Sequence, residues 1–383
     1  MTEAVDSPAR GSSGGPGDEH EFSFFGDRRR LLQTLLVVVV LIAAIYVLLP
    51  KVIGFDDAVA RIGDGDLGWI GIAIAINLLA FFAYVALFRG VIGERVLHLE
   101  WRESYQITMA GLAATRLFSA GGAGGIVLTY WALRKAGMER RQSACRMVAF
   151  LVLLYSVYLL SLLLGGVLLR TGVLSGSAPA GLTIVPAAIA GILIALLLAI
   201  ALLPADFEAT IGRVSGDTRR AGIARRLATV PATLAQGTRT ALAFVRQPSQ
   251  GGLAIIGAVG FWAANIGVLW ASFKAYGVAV PLGVVIQGFF VGMAANLVPF
   301  APGGVGAVDA GMIGAFVLFG LPHSSVFAAV FAYRIIAFWL PIPPGAIAFL
   351  QLRKTVRRWE DEGREQEGEA AGATAEPSLQ KVK

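Results

Sequence analysis

Three ionisable side chains stand inside long apolar runs: Arg116, Asp309 and Arg334. A charge at such a position is costly, so each is a candidate functional group. Arg116 precedes the glycine-rich run Ser119-Ala120-Gly121-Gly122-Ala123-Gly124-Gly125. A guanidinium there could grip the phosphate of a lipid headgroup through paired N–H donors. It could equally pair with backbone carbonyls or snorkel to a surface. Asp309 lies three residues past Gly306, where a helix is expected to start. A carboxylate is stabilised at that position by the helix dipole, so it either caps the helix or couples to a proton or a cationic headgroup. Arg334 either pairs with Asp309 or meets a ligand directly. Asn296 can satisfy freed backbone groups at the second break or touch a ligand. Gly303, Gly304 and Gly306, with Gly122 in the first run, would let the backbone approach a ligand and aim several N–H groups at an anion. Asn265, in mid-span, reads as interhelical glue.

Other chemistries find little support. His20, His98 and His323 are scattered, with no second ligand at metal spacing. The single cysteine, Cys145, gives neither a disulfide framework nor a cysteine metal cluster. No Gly-x-x-x-x-Gly-Lys phosphate loop occurs, and no soluble strand precedes the Gly-x-Gly of 304–306, so nucleotide sites are not expected. No cofactor is expected. The formal charge is +7. The arginines fall between apolar runs, where they report orientation, so nucleic acid is not an expected partner.

The elements that must hold these residues are membrane helices. Of the 383 residues, 56% are hydrophobic and 15% charged, against about 25% charged in a soluble domain. A run of about 20 apolar residues spans a bilayer. The expected fold is an all-α polytopic membrane protein with about six full spans, at 31–49, 67–90, 147–169, 182–203, 252–274 and 326–350. Two further apolar stretches, 105–133 and 282–320, are broken near their middles by glycines and, in the second, by Pro299 and Pro302. Glycine and proline disfavour continuous helix. Both stretches read as re-entrant hairpins, with a pair of short tilted crossing helices as the alternative. Broken backbone at membrane depth requires shelter from protein or a wet cavity.

Loop charge sets the expected orientation. Arg28 to Arg30 place the N-terminus in the cytoplasm, and Arg353, Lys354, Arg357 and Arg358 place the C-terminus there too. The arginines at 89–102 and 134–146 and the long basic loop 204–250 are cytoplasmic by the same rule. The acidic residues at 56–66, the loop 175–179 and the segments near 275–280 and 321–323 are external. The first hairpin then opens inward and the second outward. Residues 1–27 and 359–383 are polar, cannot bury a core and read as disordered cytoplasmic tails, leaving 28–358 as the integral domain. The Arg-over-Lys and Ala/Gly bias suggests a GC-rich bacterium. The expected location is the cell (plasma) membrane, with both termini cytoplasmic.

A shift of 181 residues superposes Gly111 on Gly292, Ala113 on Ala294, Ala120 on Ala301, Gly122 on Gly303 and Gly125 on Gly306. Each half, 67–169 and 252–350, reads span, broken hairpin, span. The charge rule gives the halves opposite orientations. That is the pattern of an inverted-topology repeat, which in transporters places the site between the halves near mid-membrane.

The run Asn296 to Asp309, containing Pro302-Gly303-Gly304-Val305-Gly306, resembles the Pro-Gly-Gly-x-Gly-x-x-acid motif of the lysylphosphatidylglycerol synthase transmembrane, or flippase-like, family. Tyr333-Arg334 with Phe338-Trp339-Leu340-Pro341-Ile342-Pro343 and Gly345 is similar to that family's last core helix. Ser119 to Gly125 with Thr129 to Leu133 resembles its earlier hairpin. The resemblance covers most of 67–351 and implies a membrane module linked to moving a lipid between leaflets. Two features depart from it: Asp309 replaces the usual Glu, and the first hairpin lacks a Pro-Gly-Arg pattern. The family's aminoacyl-transfer domain should follow the membrane region, and about thirty mostly polar residues after Leu352 cannot form one, so enzymatic activity is not expected. The expected function is translocation of a phosphate-bearing lipid or lipid-linked substrate, with membrane lipids as partners. The alternative is a non-transporting subunit that recruits a soluble lipid- or envelope-modifying enzyme through 204–250.

Overall fold

The computed structural model describes residues 61–93, 97, 99–118, 123–202, 219–297 and 304–379. Among these, every regular element is helical. The order is α1 (Leu67–Ile92), α2 (Trp101–Phe118), α3 (Ala123–Lys135), α4 (Arg140–Arg170), α5 (Ala180–Ala201), α6 (Arg219–Arg246), α7 (Pro248–Ala275), α8 (Leu282–Met293), α9 (Ala307–Leu318), α10 (His323–Arg334) and α11 (Ile342–Leu379). Helices α1, α4, α5 and α7, and the stretch His323–Glu362, are long and apolar enough to cross a bilayer. They correspond to five of the six expected spans. The sixth, 31–49, and the tail 1–27 lie outside the described residues.

Helix α1 starts where Asp66 accepts from the Gly68 and Trp69 amides, at 2.7 and 3.3 Å. It runs antiparallel to α7: the Asp66 amide donates to Ala275 O at 2.9 Å, while Gly90 faces Ala254 near the other end. Gly90 and Gly257 let the two backbones touch, and any Cβ at either position would strike the facing chain. Between membrane helices such close packing supplies the attraction that the hydrophobic effect does not. Helix α5 exposes Ile184, Val185, Ile189, Ile192 and Leu196, as a lipid-facing surface should. Its Pro186 cannot donate to Leu182 O, and Gln287 Nε2 of α8 takes up that carbonyl at 2.8 Å.

Both broken stretches form hairpins. In the first, α2 and α3 pack side by side, and the four residues between them lie outside the described set. Both of its ends meet the same part of α11: Glu103 pairs with Arg358 at 2.9 Å and Lys135 with Glu360 at 2.5 Å. Among the described residues, Arg116 near its inner end meets Ala337 O and Phe338 O, roughly 20 Å of helix away from His323. The second hairpin, α8 with α9, has both ends on the loop 171–179. Gly283 lies against Leu174, and Ser177 Oγ donates to Phe319 O at 2.6 Å. The two hairpins therefore open at opposite ends of the helix bundle. Helix α2 packs along α11, and α8 along α4, so each hairpin leans on the last span of the other half.

Three features differ from the sequence expectation. The last span, read as one helix over 326–350, is interrupted by a π-turn at Ile335–Trp339. Its cause is legible afterwards, since Pro341, Pro343 and Pro344 remove three of the four backbone donors at 341–344. The loop 204–250 contains a 28-residue helix, α6, held by Arg239 Nε on Ala201 O at 2.8 Å. By sequence this stretch reads only as a long basic cytoplasmic loop. Finally, helix α11 continues through 359–379, where a disordered tail was expected, and Glu103 and Lys135 fix its residues at 358–360.

Candidate functional site

The site is built on the π-turn. Leu340 N donates to Ile335 O at 2.9 Å, one residue further back than in an α-helix. The carbonyls of Ile336, Ala337 and Phe338 are then left for other donors. Side chains supply all three: Asn77 Nδ2 of α1 donates to Ile336 O, and Arg116 donates through two nitrogens to Ala337 O and Phe338 O, each at 2.9 Å. Satisfying such groups at membrane depth avoids a penalty of several kcal/mol each. Arg116, at the inner end of the first hairpin, thus meets the backbone of the last span more than 200 residues away in sequence.

On the other side of the turn, Arg334 Nε lies 2.6 Å from Asp309 Oδ1. Both side chains are nearly buried, at 5% and 12% exposure. Asp309 Oδ2 also accepts from Gly306 N at 2.8 Å, so one carboxylate caps α9 and neutralises Arg334 together. The chain reaches this geometry through Gly304 and Gly306, whose φ values of +68° and +82° are open mainly to glycine. Asn296 Oδ1 occupies the space a Cβ on Gly304 would need. Gly122 and Gly303 lie outside the described residues.

The two arginines share a ring. The Arg334 guanidinium carbon stands 4.2 Å from the centroid of Phe338, and that of Arg116 stands 5.3 Å away. Arg116 has no carboxylate partner among the described residues, so Arg116, Arg334 and Asp309 together carry one net positive charge. Tyr333 is buried beside the trio, and its hydroxyl lies 3.4 Å from Asn265 Oδ1. That contact joins α10 to α7 in the interhelical role read for Asn265. The structure brings together Arg116, Asp309 and Arg334, with Gly306 and the Asn296–Gly304 pair on the second hairpin. Sequence reasoning missed Asn77 and Phe338. A polar Asn in the apolar span 67–90 was the available signal for the first, and the proline cluster after the turn for the second.

The chain matches the family described as the lysylphosphatidylglycerol synthase TM region over residues 34–345. It belongs to that family. A relative within curated proteins is a UPF0104 membrane protein of Methanothermobacter thermautotrophicus, 34% identical over 79 residues. That match spans 21% of this chain and 24% of the relative. The family match over residues 34–345 contains all three charged residues of the site and the turn that joins them. No group of three His, Cys, Asp or Glu side chains able to hold a metal occurs among the described residues.

Proposed function

We propose that this protein translocates a phosphate-bearing lipid or lipid-linked substrate between leaflets of the cell membrane, and is not itself an enzyme. The observation that carries this reading is the convergence, at the inner ends of two oppositely opening hairpins, of two arginines and one carboxylate with a net positive charge. An excess cation inside a membrane protein is stabilised when an anion visits it. Arg116 is half-buried and has no acidic partner among the described residues, so it is the group a phosphate would meet. Arg334 is already neutralised by Asp309 and positions the turn.

The packing of each hairpin on the last span of the other half supports an inverted-topology repeat. In that scheme the basic end, with Arg89, Arg134, Arg146 and Arg358, faces the cytoplasm, and both termini lie there. The headgroup would pass between the hairpin tips while its tails stay in the bilayer.

The test is movement of a fluorescent phosphatidylglycerol analogue between leaflets of proteoliposomes holding the purified protein. Arg116→Ala is expected to lower the rate at least tenfold while the protein still elutes as a folded species. Transport at the wild-type rate in that variant would overturn the proposed site. A wild-type protein that moves no lipid, yet co-purifies with a soluble enzyme through 204–250, would favour the recruiting-subunit reading.

A further inference from the structure

We propose that the first hairpin (α2 and α3) and α11 form one rigid body that swings against the rest of the bundle, with the π-turn and the glycine turns at Gly93 and Gly137 as its hinges. The use of that swing in transport rests on the translocation reading, whereas the two bodies rest on packing alone.

The boundary falls inside the π-turn. Ile336 O accepts from Asn77 of α1, while the next two carbonyls, of Ala337 and Phe338, accept from Arg116 of α2. Neighbouring peptide groups are thus held by different parts of the molecule. Before the turn, Arg334 is tied to Asp309 of α9, and α10 packs on α7 and α9. After it, α11 packs along α2 and touches α3. A π-turn carries one residue more than the α ladder uses, and a few such residues can absorb the φ/ψ change of a hinge.

The moving body is fastened along its length. Beyond the Arg116 bonds, Gly345 lies so close to α2 that a Cβ would stand 2.6 Å from Ala113 Cβ and 2.7 Å from Met109 O. Further out, Thr355 Oγ1 donates to Gln106 Oε1 at 2.8 Å. At the base, Glu103 holds Arg358 and Trp359, and Lys135 holds Glu360. The chain enters and leaves this hairpin through two glycine turns: Gly93 after α1, with φ +71°, and Gly137 between α3 and α4, with φ +93°. A Cβ at either position would meet nothing within 4 Å, so packing does not wedge these turns. Arg89 of α1 does cross the boundary, donating to Leu99 O at 2.6 Å and to Ser104 Oγ at 3.3 Å. It stands one turn before Gly93, beside the hinge, where a swing displaces atoms least.

Arg116 belongs to one body, and Arg334 with Asp309 to the other. The boundary therefore runs through the charged site, and a swing moves Arg116 relative to the ion pair, admitting or excluding an anion between them. Rocking of one bundle against another around a central site is how repeat-built transporters alternate access.

The test is distance measurement between spin labels on paired cysteines, by pulsed electron resonance, in the full-length Cys145→Ala protein. It is run in neutral detergent with and without dihexanoyl phosphatidylglycerol. All four labelled positions are exposed. Ile126→Cys with Lys354→Cys spans the moving body, and Arg170→Cys with Gln250→Cys spans the rest. Each of these pairs is expected to give one narrow distance that lipid leaves unchanged. Ile126→Cys with Arg170→Cys crosses the boundary. It is expected to give two distances whose proportions change when lipid is added. One narrow distance across the boundary, the same with and without lipid, would overturn the swing. Two distances between positions 126 and 354 would overturn the rigid body. Two distances across the boundary in proportions indifferent to lipid would leave the swing standing and overturn Arg116 as the phosphate contact.

Discussion

At the residue scale, two ion pairs of similar length should differ sharply in worth. Asp309 and Arg334 are buried on both sides, and removing one partner strands the other charge in the interior. Asp309→Asn is expected to destabilise the protein by about 3–5 kcal/mol. Adding Arg334→Gln should recover part of that loss. Melting of the purified variants in detergent checks both, and a single variant as stable as wild type would remove the pair from the site's support. Glu103 and Arg358 are different, because Arg358 is 57% exposed. Arg358→Ala should therefore cost under about 1 kcal/mol, with Glu103 keeping its contacts to Trp359 Nε1 and the Glu100 amide. The sequence marked Arg116, Asp309 and Arg334 because a charge within an apolar run is rare and costly. It could not separate a ligand-binding arginine from a carbonyl-binding one, since that depends on which backbone groups another helix has left open.

At the scale of elements, the π-turn and the helix crossings are the exposed points. Asn77→Leu leaves Ile336 O without its donor and should cost about 1–3 kcal/mol. The loss would show as a lower melting temperature and faster amide exchange near 336–340. Gly257→Leu would drive a side chain into the Leu87 backbone of α1. Overpacking at this crossing should cost at least about 1–3 kcal/mol and lower the yield of folded protein. Gly252→Leu, where an added Cβ meets open space, provides the matched control. The broken hairpins were legible in the sequence because glycine and proline clusters interrupt helices locally. The interruption within 323–362 was not read, because a span of that apolarity remains long enough to cross a bilayer whether or not one turn is widened.

At the scale of the whole molecule, the arrangement makes a topological prediction. In a Cys145→Ala background, single cysteines at Arg102 and Lys135 should react with a membrane-impermeant maleimide from one face only. Cysteines at Ser177 and His323 should react only from the other. Labelling of Arg102 and His323 from a common face would break the opposite-facing hairpins and the transport path built on them. Among the described residues, segments that the positive-inside rule assigned to one side do lie at one end of the bundle, as the Arg146 contact with Val91 O and the approach of Gly237 to Val148 illustrate.

Taken alone, the chain's order of residues determined an all-helical membrane protein, where its spans lie, and where two of its segments must break. Those properties follow from bilayer thickness and from the cost of an unpaired peptide group, and both act on a local window of sequence. The tertiary structure decided that Arg116 closes on the turn after Arg334, that Asn77 completes it, and that Phe338 lies close to two guanidinium groups. These depend on the register between helices far apart in the chain, which is set by where glycine and alanine let backbones approach. No local pattern encodes that register, because it belongs to pairs of surfaces that meet only in the folded bundle.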